Sequence, residues 1–229
     1  MNRMRENSIV VLSGGMDSAT VLGKLMDIKQ GYTNSRTNCV FFEYDQHTQK
    51  KEKECAEALC KHYNVDLIVH QLKLHSDGLV SDGKDFEVPA RNSIFALMCL
   101  NIGKQIYKDE GFDVFLGIQG SDQTDYIDCT EQAINMTAKL VGYLTTNDVA
   151  VYAPFSEMSK DGILKIGTKL GVPYEHTWSC YISQEKPCGE CPSCKLRAEG
   201  FRLAGIQDPL EVKDGNKKDS TDTLPSEQQ

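Results

Sequence analysis

The stretch IVVLSGGMDS, residues 9–18, decides the fold of this chain of 229 residues. Its β-branched run predicts a short buried strand, and its two glycines predict a sharp turn directly after that strand. Apolar residues then recur at helical spacing across residues 17–29, so the turn opens a helix. Glycines let the backbone approach a ligand closely, and the free N–H groups at a helix start attract anions. The stretch therefore predicts an anion site, most simply for a phosphate.

The glycine turn, SGGMDS at residues 13–18, differs from two common nucleotide-binding motifs. It has neither the lysine of GxxxxGK[ST] nor the glycine spacing of GxGxxG. The carboxylate of Asp17 is suited to orient Mg²⁺ or to hold a neighbouring loop. The simpler alternative is a tight strand–helix connection in which Asp17 or Ser18 caps the helix.

Strands and helices alternate along most of the remaining chain. After the first strand, further strands are predicted at residues 39–44, 65–72, 114–119 and 149–153. Further helices are predicted at residues 49–63, 92–107, 131–143 and 159–170. This alternation is typical of a doubly wound α/β fold, in which helices cover both faces of a mostly parallel sheet. Ligands bind beyond the carboxyl ends of such strands, so chemistry is expected in the loops after the first, second and fourth strands.

The composition is that of a globular domain. Hydrophobic residues make up 40% of the chain, and 25 Lys and Arg oppose 33 Asp and Glu, a formal net charge of −8. These values exclude a chain that is disordered throughout. The acidic balance disfavours a broad nucleic-acid surface, although it allows a local basic pocket. Neither a spanning segment nor a signal peptide is visible, so we expect a cytoplasmic protein without a membrane partner.

Nine cysteines divide into two groups. Five are scattered among apolar neighbours and are interpreted as small buried side chains, namely Cys39, Cys55, Cys60, Cys99 and Cys129. The others form a C-x7-C-x2-C-x2-C pattern, namely Cys180, Cys188, Cys191 and Cys194. Four thiolates at this spacing predict a tetrahedral Zn²⁺ site, which is closed and therefore structural. An iron–sulfur cluster and a redox dithiol are the alternatives.

Three segments are expected from these patterns. Residues 1–175 form the α/β nucleotide-binding domain, and residues 176–205 form a helical zinc-binding segment, the zinc knuckle. Residues 206–229 are polar and are expected to be partly disordered.

The glycine turn resembles the SGGxDS signature of the PP-loop ATP pyrophosphatases, which cleave ATP between its α and β phosphates and adenylate a substrate. Further segments narrow this resemblance, namely YDQHTQKKE at 44–52, VPARNSIF at 88–95, GIQGSDQTDYIDC at 117–129, HTWSCY at 176–181 and CGECPSCKLRAEGF at 188–201. Together, over about residues 10–201, they resemble the QueC family of 7-cyano-7-deazaguanine synthases. The resemblance implies the adenine nucleotide alpha hydrolase-like version of the α/β fold, a structural Zn²⁺ and a homodimer.

The resemblance also implies an activity. Such an enzyme is an ATP-dependent C–N ligase of queuosine biosynthesis, which converts 7-carboxy-7-deazaguanine and ammonia to 7-cyano-7-deazaguanine (preQ0). The acid is adenylated, ammonia displaces AMP to give the amide, and a second activation leads to the nitrile. ATP with Mg²⁺ is the co-substrate, and no direct nucleic-acid contact is expected.

Residue roles follow from the matching positions. The ATP-binding set is Leu12, Ser13, Gly14, Gly15, Met16, Asp17, Ser18 and Ala19. The substrate-binding set is Tyr44, Gln46, Arg91, Asn92, Asp122, Tyr126 and Asp128. The catalytic set is Asp17, Ser18, Arg91 and Lys160. The alternatives are a surface ion pair for Arg91, helix caps for the two aspartates of the substrate set, and a solvated position for Lys160.

Four positions depart from the family pattern. Asp45 and Asp125 stand where glycines are usual, Ile127 replaces a proline, and Thr130 replaces an arginine. Because these changes fall where the base is expected to bind, two endpoints stay open, the nitrile and the amide. Two other readings also stay open. One is another PP-loop enzyme such as a tRNA thiolase, and the other is a zinc- and nucleotide-binding module without turnover.

Overall fold

The computed structural model describes residues 4–31, 33–74, 88–120, 126–146 and 148–211. One sheet of five parallel strands has the order β3-β2-β1-β4-β5. The strands are β1 (Asn7–Val11), β2 (Arg36–Glu43), β3 (Asp66–Gln71), β4 (Phe112–Phe115) and β5 (Val149–Tyr152). The described helices are α1 (Met16–Lys29), α2 (Gln49–Tyr63), α3 (Arg91–Tyr107), α4 (Glu131–Leu144), α5 (Lys160–Lys169) and α6 (Pro192–Ala204). The predicted doubly wound α/β fold is confirmed.

Strand β1 lies at the centre of the sheet, and every one of its residues is buried. Successive side chains point to opposite faces. Ile9 and Val11 pack on the face covered by α3 and α4, whereas Val10 packs on the face covered by α1, α2, α5 and α6. A strand buried on both faces is therefore continuously apolar, which is why this short run was readable from the sequence.

Strand β4 differs from the prediction at both of its ends. It begins at Phe112 and ends at Phe115, rather than running over 114–119. The chain then turns toward α1, and a Cβ on Gly117 would lie only 2.7 Å from the Ser18 nitrogen. Only glycine permits this close approach, because any side chain at 117 would overlap the backbone of Ser18. The other predicted elements match within a few residues at each end.

The chain beyond α5 returns to the start of the sheet. The Trp178 backbone N–H donates to the Gly14 carbonyl at 2.8 Å, and the Tyr174 ring packs edge-on against Phe201 of α6. The proposed boundary at residue 175 stays a prediction, and most of the predicted tail, from 212 onward, lies outside the described residues. Within the described part of the chain, no helix is long and apolar enough to span a bilayer.

Candidate active site

A cavity of about 210 Å³ opens beyond the carboxyl ends of β1, β2 and β4. Strands β1 and β4 are neighbours whose connections leave toward opposite faces of the sheet, which is the place where such folds bind ligands. The lining includes most of the residues predicted for the site, namely Leu12, Ser13, Gly15, Met16, Asp17, Ser18, Tyr44, Gln46, Arg91, Asn92, Tyr126 and Lys160. Gly14, Ala19 and Asp128 do not line it, and Asp122 lies outside the described residues.

The backbone itself shapes the glycine turn. Gly14 has a φ of +76°, and a Cβ there would overlap the carbonyl oxygen of Glu52. The Ser18 hydroxyl accepts the Ser13 N–H at 3.2 Å and lies 3.1 Å from the Gly15 carbonyl oxygen, to which it donates. Gly15 is the N-cap of α1 and brings no capping side chain, so the helix start faces the cavity with its N–H groups. This arrangement suits an anion, and the assignment of these residues to the phosphates of ATP stays a prediction.

Asp17 and Lys160 form an ion pair at the glycine turn. The Lys160 Nζ donates to both carboxylate oxygens of Asp17, at 2.6 and 2.8 Å. The Lys160 side chain is only 9% exposed, because its stem lies against α6 at Gly200, where a Cβ would overlap it. The sequence predicted each of these residues for the site but did not predict that they pair. In the structure they form an ion pair although 143 positions separate them.

Arg91 opens α3 at the other end of the cavity. The left-handed Ala90 (φ +58°) turns the chain into the helix, and the Arg91 Nη1 donates to the Tyr44 hydroxyl at 3.3 Å. Burial works against the charge of Arg91, but its surroundings, chiefly Tyr44 and Tyr181, raise the pKa of the guanidinium above its ordinary value. Burial also raises the pKa of the Tyr44 hydroxyl. Arg91 therefore carries a full positive charge in a half-buried, aromatic setting.

Aromatic rings continue this wall of the cavity. Phe42 and Phe95 stack with their ring centres 4.3 Å apart, and Tyr44 lies 5.6 Å from Phe95. Tyr126 lines the same cavity. Flat apolar surfaces beside one guanidinium are suited to a planar aromatic anion.

Asp128 caps α3. Its carboxylate accepts the Asn92 N–H at 2.9 Å, and the Asn92 amide donates to the Cys129 sulfur at 3.3 Å. This is the placement that the capping alternative described, so the assignment of Asp128 to the substrate stays a prediction. Asn92 and Cys129 themselves line the cavity.

The residue roles drawn from the sequence did not include Glu52. It is a partly buried residue in the first turn of α2, and it lines the cavity. Its carboxylate accepts the Thr48 hydroxyl at 2.5 Å and the Gln46 amide at 3.3 Å. Burial raises the pKa of this carboxyl, although Thr48, Gln46 and Arg91 favour the ionised form. The available signal was its position as the last residue of the YDQHTQKKE segment.

Three of the four departures from the family pattern lie among the described residues, and Asp125 lies outside them. Asp45 has a left-handed backbone, with a φ of +63°, a conformation that favours glycine. Thr130 is the N-cap of α4, where its hydroxyl accepts the Ala133 N–H at 3.3 Å and donates to the Ile127 carbonyl at 2.7 Å. The Ile127 side chain is 82% exposed. The local structure therefore accommodates these three side chains.

The four clustered cysteines converge on one point. The sulfur atoms of Cys180, Cys188, Cys191 and Cys194 all lie within 4.8 Å of one another. Backbone N–H groups point at these sulfurs, for example from Cys191 to the Cys188 Sγ at 3.3 Å and from Cys194 to the Cys191 Sγ at 3.4 Å. Such N–H groups lower the pKa of Cys188 to about 7. Burial instead raises the pKa of Cys194. The convergence of the four sulfurs fits a metal ion, as predicted.

Trp178 connects this cluster to the glycine turn. Its indole N–H donates to the carbonyl oxygens of Cys180 and Ser183 at 3.0 and 3.2 Å. Its ring packs within the apolar cluster that contains the metal-site cysteines, with the Lys51 ammonium 5.4 Å from the ring centre. The Trp178 backbone N–H also donates to the Gly14 carbonyl. This one residue therefore contacts both the cysteine cluster and the anion-binding turn.

Comparison with known families gives a match over most of the chain. The family model described as queuosine biosynthesis protein QueC matches residues 7–205. A 7-cyano-7-deazaguanine synthase of Thermoplasma acidophilum is 35% identical over 90% of this chain and 92% of its own length. The synthase of Methanospirillum hungatei JF-1 is 36% identical over 89% and 98%, and that of a Nitratiruptor species is 34% identical over 90% and 98%.

Two solved structures share the fold at low identity. The U34-tRNA thiolase NcsA of Methanococcus maripaludis, solved with its [4Fe-4S] cluster, has a TM-score of 0.55 at 14% identity, covering 97% of this chain and 80% of that one. An NMN synthetase of Francisella tularensis has a TM-score of 0.50 at 18% identity, covering 88% and 78%. These likenesses concern the fold alone. The family match over nearly the whole described chain and the relatives above 30% identity show that this chain belongs to the QueC family of queuosine biosynthesis proteins.

Proposed function

We propose that this protein is an ATP-dependent C–N ligase that converts 7-carboxy-7-deazaguanine and ammonia to 7-cyano-7-deazaguanine. One observation carries the proposal: a single cavity joins an anion-binding helix start to a guanidinium among aromatic rings. The relatives that carry the name 7-cyano-7-deazaguanine synthase support the same substrate class.

The glycine turn binds the phosphates of ATP in this proposal. A carboxylate is a poor electrophile, because its oxygens are poor leaving groups. Its attack on the α-phosphorus, with loss of pyrophosphate, turns one oxygen into part of a good leaving group. The N–H groups of α1 and the Lys160 ammonium stabilise the charge that develops on the phosphate oxygens. Asp17 would orient the Mg²⁺ that accompanies ATP, and that ion would supply further positive charge there.

The aromatic wall binds the deazapurine. Arg91 pairs with its carboxylate, since a guanidinium recognises planar anions through two parallel hydrogen bonds. The ring system lies against Tyr44, Phe95 and Tyr126. The protein acts chiefly by holding the carboxylate against the α-phosphate, which makes the adenylation effectively unimolecular. Ammonia then displaces AMP to give the amide, and a second activation of the amide oxygen permits dehydration to the nitrile.

Zn²⁺ is the metal that we propose for the cysteine cluster. A Zn–S bond of about 2.3 Å in a tetrahedron places sulfurs about 3.8 Å apart, and the Cys188 and Cys194 sulfurs are 3.9 Å apart. In a four-iron cluster each thiolate binds a different iron atom, so the sulfurs would lie farther apart. None of the four cysteines lines the cavity. A structural zinc ion fits both observations better than the cluster of a thiolase.

A homodimer is part of the same proposal. Helix α4 presents apolar side chains to solvent at helical spacing, and Met136, Leu140 and Tyr143 are 63%, 47% and 83% exposed. Sedimentation equilibrium of the purified protein tests the dimer directly, and a Leu140→Glu variant tests whether this helix takes part.

The function is tested by turnover. Purified zinc-loaded protein is incubated with ATP, Mg²⁺, an ammonium salt and 7-carboxy-7-deazaguanine, and bases and nucleotides are followed by mass spectrometry. Nitrile together with AMP is the expected result. Amide alone would place the end of the reaction one step earlier, as the altered residues near Thr130 allow. A lack of AMP would overturn the proposal.

A further inference from the structure

Two acidic residues line the described part of the cavity, Asp17 and Glu52. Asp17 is neutralised by Lys160, whose ammonium contacts both of its oxygens. Glu52 forms no ion pair within 4 Å with any described residue. Of the two acidic residues that line the described part of the cavity, Glu52 is therefore the one whose carboxylate forms no ion pair.

Glu52 also has room to bind a cation. A carboxylate offers about four lone-pair positions, and the described residues fill two of them, one from Thr48 and one from Gln46. These two contacts hold one oxygen each, so the group is oriented but not saturated. The rings of Tyr44, Trp178 and Tyr181 line the same cavity, and aromatic faces favour small cations.

The position of Glu52 joins the two ends of the site. Its backbone carbonyl lies against Gly14 of the anion-binding turn. Its carboxylate lies close enough to Arg91 to feel the guanidinium charge. An acyl adenylate forms where the phosphate and the substrate carboxylate meet. Because Glu52 lines the same cavity as Ser13 and Arg91, its carboxylate is placed to act on the carbonyl carbon of the adenylate.

We propose that the Glu52 carboxylate binds the ammonium ion used in this reaction and takes up the proton that nitrogen loses during attack on the acyl adenylate. The inference rests on the proposed function and goes beyond it, because it assigns the nitrogen donor a site. A partly buried carboxylate whose pKa lies above the ordinary carboxyl value is a better proton acceptor than an exposed one.

The step balances as follows. Ammonium transfers one proton to water to become ammonia, whose lone pair forms the C–N bond at the adenylate carbonyl. The tetrahedral adduct carries a positive nitrogen, and Glu52 accepts one proton from it. The C–O bond to the α-phosphate then breaks, and AMP leaves with the electron pair. The amide remains, and Glu52 returns its proton to solvent.

The test separates adenylation from nitrogen transfer. Exchange of labelled pyrophosphate into ATP, with the carboxylate substrate and no ammonium, reports adenylation. Amide formation at increasing ammonium chloride reports nitrogen transfer. Hydroxylamine is largely uncharged at neutral pH and needs no cation site. Because it is a weaker base than ammonia, its adduct with the adenylate is more acidic and gives its proton to water, so hydroxamate forms with little dependence on Glu52. The variant is Glu52→Gln, and Glu57→Gln is the matched control, because Glu57 is exposed on the same helix.

We expect Glu52→Gln to keep pyrophosphate exchange and hydroxamate formation within about twofold and to lower kcat/KM for ammonium by about 10²-fold, a usual size for loss of a general base. Normal ammonium dependence in the variant would overturn the inference. So would an equal loss of exchange, which would assign Glu52 to adenylation. If the wild-type protein shows no exchange with the carboxylate, the proposed function fails, and the inference fails with it.

Discussion

The two ends of the cavity are built in different ways. At the phosphate end, the backbone of residues 13–18 makes the site, and it matches the SGGxDS pattern at each position that the pattern names. At the substrate end, side chains make the site, and four positions depart from the family pattern. Asp45 nevertheless holds a left-handed backbone, and Thr130 has become a helix cap. A site made of backbone constrains the residue type, whereas a site made of side chains tolerates replacement as long as the backbone path is kept.

The largest expected effect tests whether the two ends work separately. We expect Lys160→Met to slow pyrophosphate exchange by about 10²–10³-fold, the usual loss when one charge-stabilising group is removed. Deazapurine binding, measured by calorimetry without ATP, is expected to stay unchanged. Lys165→Met is the matched control, because Lys165 is half exposed on the same helix and pairs with Asp161 at the surface. An equal loss of deazapurine affinity would contradict the separation.

The second prediction concerns the metal. We expect a chelator to lower the melting temperature by about 10 °C or more, because a structural metal contributes several kcal/mol and each kcal/mol shifts a chain of this size by about 2–4 °C. We also expect KM for ATP to rise, because the Trp178 N–H that binds Gly14 belongs to the cysteine segment. Calorimetry and exchange kinetics on metal-free and reloaded protein check both effects. An unchanged KM for ATP would show that the cluster does not support the anion site.

The third prediction contrasts two glycines with nearly the same backbone. Gly14 and Gly189 have φ values of +76° and +75°, but a Cβ would overlap Glu52 at Gly14 and would meet nothing within 4 Å at Gly189. We expect Gly189→Ala to cost about 1 kcal/mol, the penalty of a left-handed residue. We expect Gly14→Ala to cost about 3 kcal/mol, because the overlap adds to that penalty. Denaturant unfolding of both variants measures the difference. Equal losses of unfolding free energy would mean that the backbone around Gly14 shifts to accommodate a methyl group.

Local pattern accounts for what the sequence could predict. The apolar run of β1, the glycine turn and the cysteine spacing are each contained in a short stretch, so their structures could be read directly. Contacts between distant residues account for what was missed. The Asp17–Lys160 pair spans 143 positions, and the end of β4 depends on how closely Gly117 approaches Ser18. The periodicity of a sequence gives no information on such contacts between distant residues.

The site residue Glu52 was missed for a related reason. The helical pattern of 49–63 has charged residues at many positions, and nothing local separates a carboxylate that faces a cavity from one that faces water. What distinguishes Glu52 is its hydrogen bonds with Gln46 and Thr48 and the nearby charge of Arg91. Arg91 begins a helix on the other face of the sheet, so the sequence around Glu52 gives no sign of it.

The fourth prediction uses the pH dependence of that carboxyl. Its pKa is raised in the folded state, because burial outweighs the favourable contacts of Thr48, Gln46 and Arg91. The folded chain therefore holds this proton more tightly than the unfolded chain, and stability falls as pH rises from the ordinary carboxyl value through the raised one. We expect Glu52→Gln to melt about 2 °C higher than wild type at pH 7, a gain of about 1 kcal/mol or less. The difference should vanish at acidic pH, where Glu52 is protonated.

Glu57→Gln is expected to change the melting temperature at neither pH, since Glu57 is exposed. A lower melting temperature for Glu52→Gln at pH 7 would identify the carboxylate as a stabilising helix-start group instead. The measurement therefore tests whether burial raises the pKa of the Glu52 carboxyl, a property that favours its role as a proton acceptor.

The smallest expected effect returns to the substrate end. The left-handed backbone of Asp45 is unfavourable for any residue that has a Cβ. Asp45→Gly is therefore expected to stabilise the fold by about 0.5–1 kcal/mol. Asn64→Gly is the matched control, because Asn64 is also left-handed, with a φ of +53°, and ends α2 away from the cavity. Both variants should gain stability alike in denaturant unfolding. Only Asp45→Gly removes a negative charge near Tyr44, so it alone should lower KM for the anionic deazapurine, by about twofold at low salt, because exposed charges are screened as salt rises. If the two variants behave alike in KM as well, Asp45 is a tolerated replacement of a turn glycine and has no part in selecting the substrate.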